Sequence, residues 1–399
     1  MNTSDFLVLG GGIIGLSIAR ELKKRYPDSS ITLLEKEDKC GLHASGRNSG
    51  VLHAGFYYTA DSLKARFTKL GNQQLTEYCK SNNIPLNNCG KLVVANKPAD
   101  LPQLDELLLR GKNNNVILHE ITEKEAREIE PRVKTLGRAL FSPTTSSVDP
   151  SQVMEALTQE VLYLGIRIDN RIRFLKKNDR IIQTTGGNYE SKYIINVGGL
   201  HADNIAKQFG FSKNYSILPF KGLYLYSEEP PGSLKTHIYP VPDLRNPFLG
   251  VHFTVTANGM SKIGPTAIPA FWREQYTGIN NFRLNEFVEL SLRQTALFFH
   301  SNFDFKKLAW QEIRKYSRTH LVNLASSLLE NVKISNFKKW GKPGIRAQLL
   351  NITENTLEMD FIIEGDHQSL HVLNAVSPAF TCAFPFAGHV CDQIERLVN

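Results

Sequence analysis

Phe6-Leu7-Val8-Leu9-Gly10-Gly11-Gly12-Ile13-Ile14-Gly15-Leu16 runs from a short apolar stretch through a glycine cluster into a helical pattern that continues to Lys24. Four apolar residues closed by glycine read as a buried strand, and the spacing that follows is G-x-G-x-x-G between strand and helix. Each glycine has a separate expected task. Gly10 makes the tight turn, Gly12 lets backbone approach a pyrophosphate, and Gly15 lets the helix pack closely. The helix N-terminus then offers its free amides to phosphate, with Ile13 and Ile14 in its first turn.

Working outward, Ile31-Thr32-Leu33-Leu34 reads as a second buried strand ending in Glu35, twenty residues beyond Gly15. A carboxylate at that spacing takes the hydroxyls of an adenosine ribose and disfavours a 2′-phosphate. Strand, turn, helix, second strand and acid in register define a dinucleotide site. That fingerprint is shared by NAD and FAD, and the continuation separates them. An NAD dehydrogenase would enter a second βαβ unit at once, whereas residues 40–58 form a polar, glycine-rich loop suited to a flavin and its pyrophosphate. FAD is the expected cofactor.

Composition agrees with an enzyme of small molecules. The 399 residues are 41% hydrophobic, enough for two to three domains, and 47 Lys and Arg against 39 Asp and Glu give a net charge of +8 with the basic residues scattered. Such a surface fits an acidic substrate or weak attraction to anionic membrane, and nucleic acid is not an expected partner. No run approaches the roughly 18 apolar residues of a membrane span, and the structured motif begins too early for a signal peptide, so a cytoplasmic location is expected. Five cysteines, without a C-x-x-C pair or metal-ligand spacing, read as reduced thiols, and no metal is expected. A covalent flavin link through one of them, such as Cys382, stays open.

Further along lie Asn48-Ser49-Gly50-Val51-Leu52-His53-Ala54-Gly55, Tyr57-Tyr58, Ser62-Leu63-Lys64-Ala65 and Asn88-Cys89-Gly90-Lys91. Later come Pro219-Phe220-Lys221-Gly222, Tyr239-Pro240-Val241-Pro242, Pro247-Phe248-Leu249-Gly250-Val251-His252, Gly264-Pro265, Gly344-Ile345-Arg346-Ala347-Gln348, Asn374-Ala375 and Ser377-Pro378-Ala379. Over its full length the chain resembles the L-2-hydroxyglutarate dehydrogenase/oxidase family, within the D-amino-acid-oxidase-like flavoproteins. It departs from that pattern at Arg47, where the H-N-S-G motif has His, and at Leu223, where an acid usually follows K-G. The first departure is expected to alter contacts beside the flavin, the second the substrate pocket.

The resemblance and the segment pattern together imply an α/β, overall α+β, architecture: a Rossmann-type FAD domain with an inserted antiparallel-sheet substrate domain, as in D-amino-acid and glycine oxidases. The FAD domain is expected over 1–85, 145–215 and 335–399, and the substrate domain over 86–144 and 216–334. Cofactor contacts are expected from Gly10, Gly12, Ile13, Ile14, Gly15, Glu35, Lys36, Ser45, Asn48, Ser49, Gly50 and Val51. Further along they are expected from Arg173 through its backbone near the adenine, Gly198, Gly199, Gly344 and Arg346. Ser377-Pro378 reads as a helix start with Pro at the first helical position, where Ala379, Phe380 and Thr381 would present amides to the reduced flavin.

Oxidising a 2-hydroxy acid requires a neutral base near the alcohol and cations for carboxylate. His53 and His252 are the candidate bases, and Arg346 is the carboxylate clamp that the resemblance implies. Lys221 would hold a second carboxylate, with Tyr58 and Tyr239 as hydrogen-bond donors. The expected reaction is oxidation of L-2-hydroxyglutarate to 2-oxoglutarate, with electrons leaving to a quinone or oxygen. An amino-acid or sarcosine-type oxidase is the rival enzyme, and a flavin-containing binding protein without turnover the rival of another class. The basic pairs Lys306-Lys307 and Lys338-Lys339 read as solvated surface or as peripheral contact with anionic lipid.

Overall fold

The first strand grows from the apolar run into Asn2–Leu9 and sits at the centre of a sheet. A computed structural model describes residues 1–244, 248–301 and 304–398, so Pro247 of the P-F-L-G-V-H motif lies outside the described residues. The central strand is flanked in parallel by Gly187–Asn196 and Ile31–Glu35, and these in turn by Ser369–Asn374 and Arg167–Asn170. Parallel strands covered on both faces must be apolar throughout. Leu7, Val8, Leu33 and Ile195 are indeed wholly buried.

Beyond Arg167–Asn170 the chain does not run straight on but enters a separate strand, Phe174–Asn178. Arg171, at φ 62°, turns the chain between them. The second piece starts an antiparallel hairpin with Ile181–Thr184 that extends the sheet from Gly187–Asn196.

On one face, the helix Ile13–Arg25 packs beside the terminal helix Ala379–Val398, which also carries Leu63–Ser81. Val8, Leu16, Leu33, Leu75, Leu370 and Phe386 share one apolar core there, each such side chain contributing about 1.5–3 kcal/mol by leaving water. Arg25 locks the two long helices together, donating to Asp392 at 2.8 Å and Glu395 at 3.1 Å. Pro378 stands at the cap of the terminal helix and not at its first helical position, since its carbonyl accepts from the amide of Cys382 and the helix begins at Ala379.

Two further sheets stand over the nucleotide-binding sheet. The larger runs in the order Phe337–Trp340, Leu225–Ser227, Ser261–Gly264, His252–Val255, His237–Pro240, Lys91–Val94, Arg138–Ser142 and His119–Thr122. It is antiparallel apart from the pair His237–Pro240 and Lys91–Val94. The smaller joins Ile268–Pro269, Tyr215–Gly222, Gly344–Asn351 and Thr356–Leu357. The pairing differs from the expected boundary at 335, since Phe337–Trp340 and Gly344–Asn351 stay with these sheets. Local pattern cannot show this, because the pairing joins residues more than a hundred positions apart. Among the described residues no helix is long and apolar enough to cross a membrane.

Candidate active site

Between the sheets lies a cavity of about 920 Å³, running from the glycine turn at Gly10 to a wall of His53, Tyr239, His252 and Arg346. At its nucleotide end the glycines are required by space. Gly10 has φ +122°, and a Cβ there would meet the carbonyl oxygen of Val197 at 2.5 Å. One at Gly15 would meet the carbonyl oxygen of Gly10 at 2.0 Å, so the helix seats on the turn itself. Glu35 is buried and aimed by two amides, Gly11 N–H to Oε2 and Glu37 N–H to Oε1, both at 2.9 Å. Each oxygen retains a lone pair for a ribose hydroxyl. Ser45 Oγ accepts from the amide of Ile13 at 2.9 Å, which leaves its own O–H to donate into the cavity.

The structure brings most of the expected cofactor residues to this wall: Gly12, Ile13, Ile14, Lys36, Asn48, Ser49, Val51, Gly198, Gly199 and Gly344 line it. So do Ser377, Pro378, Ala379, Phe380 and Thr381, so the amide end of the terminal helix opens on the cavity. Gly50 is an exception. It does not line the wall, and its φ of +79° with Val148 O only 2.2 Å from a Cβ makes it a turn residue that aims its neighbours. Arg173 lines the cavity, but Thr185 Oγ1 takes its amide proton at 2.9 Å and its carbonyl accepts from the Thr185 amide at 3.0 Å, which leaves one carbonyl lone pair for an adenine amine. None of the five thiols lines the cavity.

Lys36 is committed elsewhere. Glu37, His43 and Glu274 place one ligand atom each within 4.8 Å of one another. The Lys36 ammonium fills that cluster, 2.8 Å from His43 Nε2 and 2.8 Å from Glu274 and bonded to Glu37. Glu274 also meets His201 Nε2 at 2.9 Å, and His43 Nδ1 meets the Tyr276 hydroxyl at 2.6 Å. The network ties the segment around 274–276 to the nucleotide-binding sheet. Arg47, the first departure from the family pattern, joins it by stacking its guanidinium 4.3 Å from the centre of the Tyr276 ring. Leu223, the second departure, is not in the cavity wall, and its amide donates to Thr266 Oγ1 at 3.0 Å.

At the other end, Arg346 sits on Gly344–Asn351 with its guanidinium 5.5 Å above the Phe248 ring and one N–H donated to Thr266 O at 3.2 Å. Among the described residues no carboxylate lies within ion-pair distance of it. Burial lowers its pKa, so the charge is held at a cost that an anionic ligand would relieve. His252 donates Nδ1–H to Gly250 O at 3.0 Å, which leaves Nε2 as the proton acceptor. Its ring stacks on Tyr239, centroids 3.7 Å apart and 16° from parallel. Burial, aided by Lys91, His53 and Arg346, holds its pKa well below the usual imidazole value. His53 is pushed down to about 3 by burial and by Lys91 and His237, and its Nδ1 is buried without a hydrogen-bond partner, so nothing sets its tautomer. Its amide donates to Thr381 Oγ1 at 3.2 Å, tying the flavin loop to the terminal helix.

Lys221 is not where the sequence expectation needs it. It does not line the cavity, and it pairs across the ladder with Ile345 while Phe220 pairs with Arg346. Neighbouring residues in a strand face opposite ways, so Lys221 and Arg346 lie on opposite faces of that sheet. Its ammonium stands 6.0 Å from the Tyr316 ring instead. The cavity does contain another buried cation, Lys64, beside Tyr58, with its Nζ 5.9 Å from that ring. Burial lowers it to about 8 even though Asp360 opposes the shift. Ser62 caps the helix Leu63–Ser81 and so fixes Lys64 in its first turn, a cue to the helix start and not to the burial of the lysine.

Known proteins agree with this geometry. The profile of the FAD dependent oxidoreductase family matches residues 5–392, and the chain belongs to that family. It is an FAD-dependent enzyme, and the glycine turn, Glu35 and the open end of the terminal helix are features that fit such a cofactor. Within it the chain belongs to the L-2-hydroxyglutarate dehydrogenase family. It is 33% identical to L-2-hydroxyglutarate dehydrogenase of Escherichia coli K12 over 99% of this chain and 94% of that protein. It is also 33% identical to the mitochondrial human enzyme of that name over 98% of this chain and 89% of that one. Among solved structures, reduced L-α-glycerophosphate oxidase from Mycoplasma pneumoniae, with FAD bound, superposes with TM-score 0.76 at 22% identity over 100% of this chain and 95% of that one. Glycine oxidase from Geobacillus kaustophilus does so with TM-score 0.75 at 18% identity, over 99% and 95%. These last two share the fold.

Proposed function

We propose that the chain oxidises L-2-hydroxyglutarate to 2-oxoglutarate. The observation that carries the reading is the pairing, in one cavity wall, of a guanidinium at Arg346 that meets no carboxylate with a tautomer-fixed imidazole at His252. Arg346 takes the carboxylate beside the reacting carbon in a bidentate pair, which fixes the hydroxyl toward the wall. His252 Nε2 accepts the hydroxyl proton, and the Gly250 carbonyl steadies the imidazolium through Nδ1–H. Lys64 takes the second carboxylate in place of Lys221, with Tyr58 beside it. When bound, FAD supplies the acceptor, at N5, for the hydride from C2. Two cations at the two ends of the substrate favour a dicarboxylate over the monocarboxylates of glycine- or sarcosine-type oxidation.

Anaerobic mixing of the holoprotein with L-2-hydroxyglutarate tests this, and flavin absorbance near ~450 nm should bleach within the mixing time. Bleaching by glycine or a D-amino acid, with none by the hydroxy acid, would overturn the reading. Unchanged flavin with tight binding of one acid would mark a binding protein.

A quinone is the acceptor that the surface favours over oxygen. The helices Leu284–His300 and Phe305–Arg314 expose Leu284, Val288, Leu292, Trp310 and Ile313. Arg283, Lys306, Lys307, Arg314 and Arg318 are exposed on or beside the same helices, with the ammonium of Lys306 lying 4.9 Å over the Phe298 ring. Exposed apolar residues and cations on the same helices suit an anionic bilayer, and Arg283 and Glu312 carry the same elements to the cavity wall. The protein should sediment with phosphatidylglycerol vesicles and remain in solution with phosphatidylcholine, and Leu292→Glu should abolish the difference. Equal behaviour with both lipids would remove the membrane and leave oxygen or a soluble carrier.

A further inference from the structure

We propose that Lys91 is a positioning residue: a buried ammonium, caged by three aromatic rings behind the cavity wall, that keeps the proton acceptor His252 neutral in the resting enzyme. Lys91 opens the strand Lys91–Val94 and is 0% exposed. Its Nζ lies 4.6 Å from the centre of the Phe56 ring, 4.5 Å from Tyr57 and 4.8 Å from Tyr239, and it makes no hydrogen bond. A lysine wholly removed from water with no carboxylate and no carbonyl is rare. Three ring faces are what replace them here, because the quadrupole of each ring attracts the cation.

The cage reaches the chemistry through one shared wall. Tyr239 receives Lys91 against its ring and stacks on His252 at 3.7 Å. Tyr57 lines the cavity as well, whereas Phe56 and Lys91 do not. The charged and titratable groups around the cage are His53 on the flavin loop, Tyr57 and Tyr58 after it, His237 and Tyr239 on the strand beside Lys91, His252 on the strand after that, Cys89 against His237, Lys262 and Tyr224 beyond them, and Arg346 on the smaller sheet. Glu312, in the cavity wall, is the acid that acts on Arg346, and it opposes the effect of burial there.

The physical consequence has a definite sign. Burial brings the Lys91 amine down to about 7, so it is charged over the acid side of neutrality. There its positive charge adds to burial, the larger cause, in opposing a charge on His252 or His53, and both imidazoles stay able to accept a proton at a pH where an ordinary histidine, near 6.5, is half protonated. The identity of the base rests on the 2-hydroxy-acid reading above, but the electrostatic effect of Lys91 does not.

The holoprotein, its Lys91→Met and Lys91→Arg variants and a Phe56→Leu variant test the inference in two ways. In kcat/KM against pH, Lys91→Met should move the acid limb up by about one unit, Lys91→Arg should leave it in place, and Phe56→Leu should move it the same way by less. In the same proteins, nuclear magnetic resonance of labelled histidine rings should show the cavity imidazoles titrating at higher pH in Lys91→Met. An unchanged limb and unchanged ring titrations, with only thermal stability lowered, would reduce Lys91 to packing. Should Lys91→Met fail to fold, Phe56→Leu decides alone, and an unmoved limb overturns the inference. If no 2-hydroxy acid reduces the flavin, the reading of function fails and the ring titrations still judge Lys91.

Discussion

Arg346, His252 and Lys64 differ in what each would lose on replacement. Arg346→Met leaves the substrate carboxylate with no cation in a buried wall, and kcat/KM should fall about a thousandfold, as breaking a buried charge pair costs about 3–5 kcal/mol. His252→Asn removes the cavity-wall imidazole whose tautomer the Gly250 carbonyl sets, and kcat should fall by about 10²–10⁴ with little change in KM. His53→Asn should cost about tenfold or less in kcat; a larger loss than at His252 would exchange the roles of the two rings. Lys64→Met should raise KM for the dicarboxylate by about ten- to a hundredfold, the worth of one charge-assisted hydrogen bond, while Lys221→Met should leave it within about twofold. Steady-state kinetics of the five variants separate these outcomes.

Helices and strands show where local pattern suffices and where it does not. The glycine turn was legible because its space requirement is local: Gly10 and Gly15 touch Val197 and each other. Gly15→Ala would force a Cβ into the Gly10 carbonyl, costing about 1–3 kcal/mol of overpacking, and the purified variant should lose flavin absorbance relative to protein absorbance. The terminal helix Ala379–Val398 was legible for the same reason, since apolar residues recur along one face and Pro378 marks its start. The face on which Lys221 falls was not. It depends on the register between Tyr215–Gly222 and Gly344–Asn351, and a shift of one residue would have put the lysine beside Arg346. His252 was legible as a candidate but its tautomer was not, because the deciding carbonyl belongs to Gly250 and is set by a turn with φ +76°. Lys64 stood in a quoted motif, yet nothing in its neighbourhood marks it as buried.

At the scale of the molecule, acid should unfold the protein through its histidines. His53 and His237 are held near 3 and His371 near 4, chiefly by burial, so they are neutral in the fold and would be charged in an unfolded chain below about 6.5. The unfolded state therefore binds more protons between those limits, and stability rises with pH across that window. Thermal melts should show Tm falling by at least about 5 °C between pH 7 and pH 5, with His371→Gln reducing the slope. The terminal helix has another consequence, in the order of assembly during synthesis. Its first turn closes the cavity, and it stacks on the helix that follows the first strand. The strand before it, Ser369–Asn374, pairs with Gly187–Asn196. A ribosome-bound chain would thus hold an open nucleotide cleft until this helix emerged, and cofactor loading would wait for it.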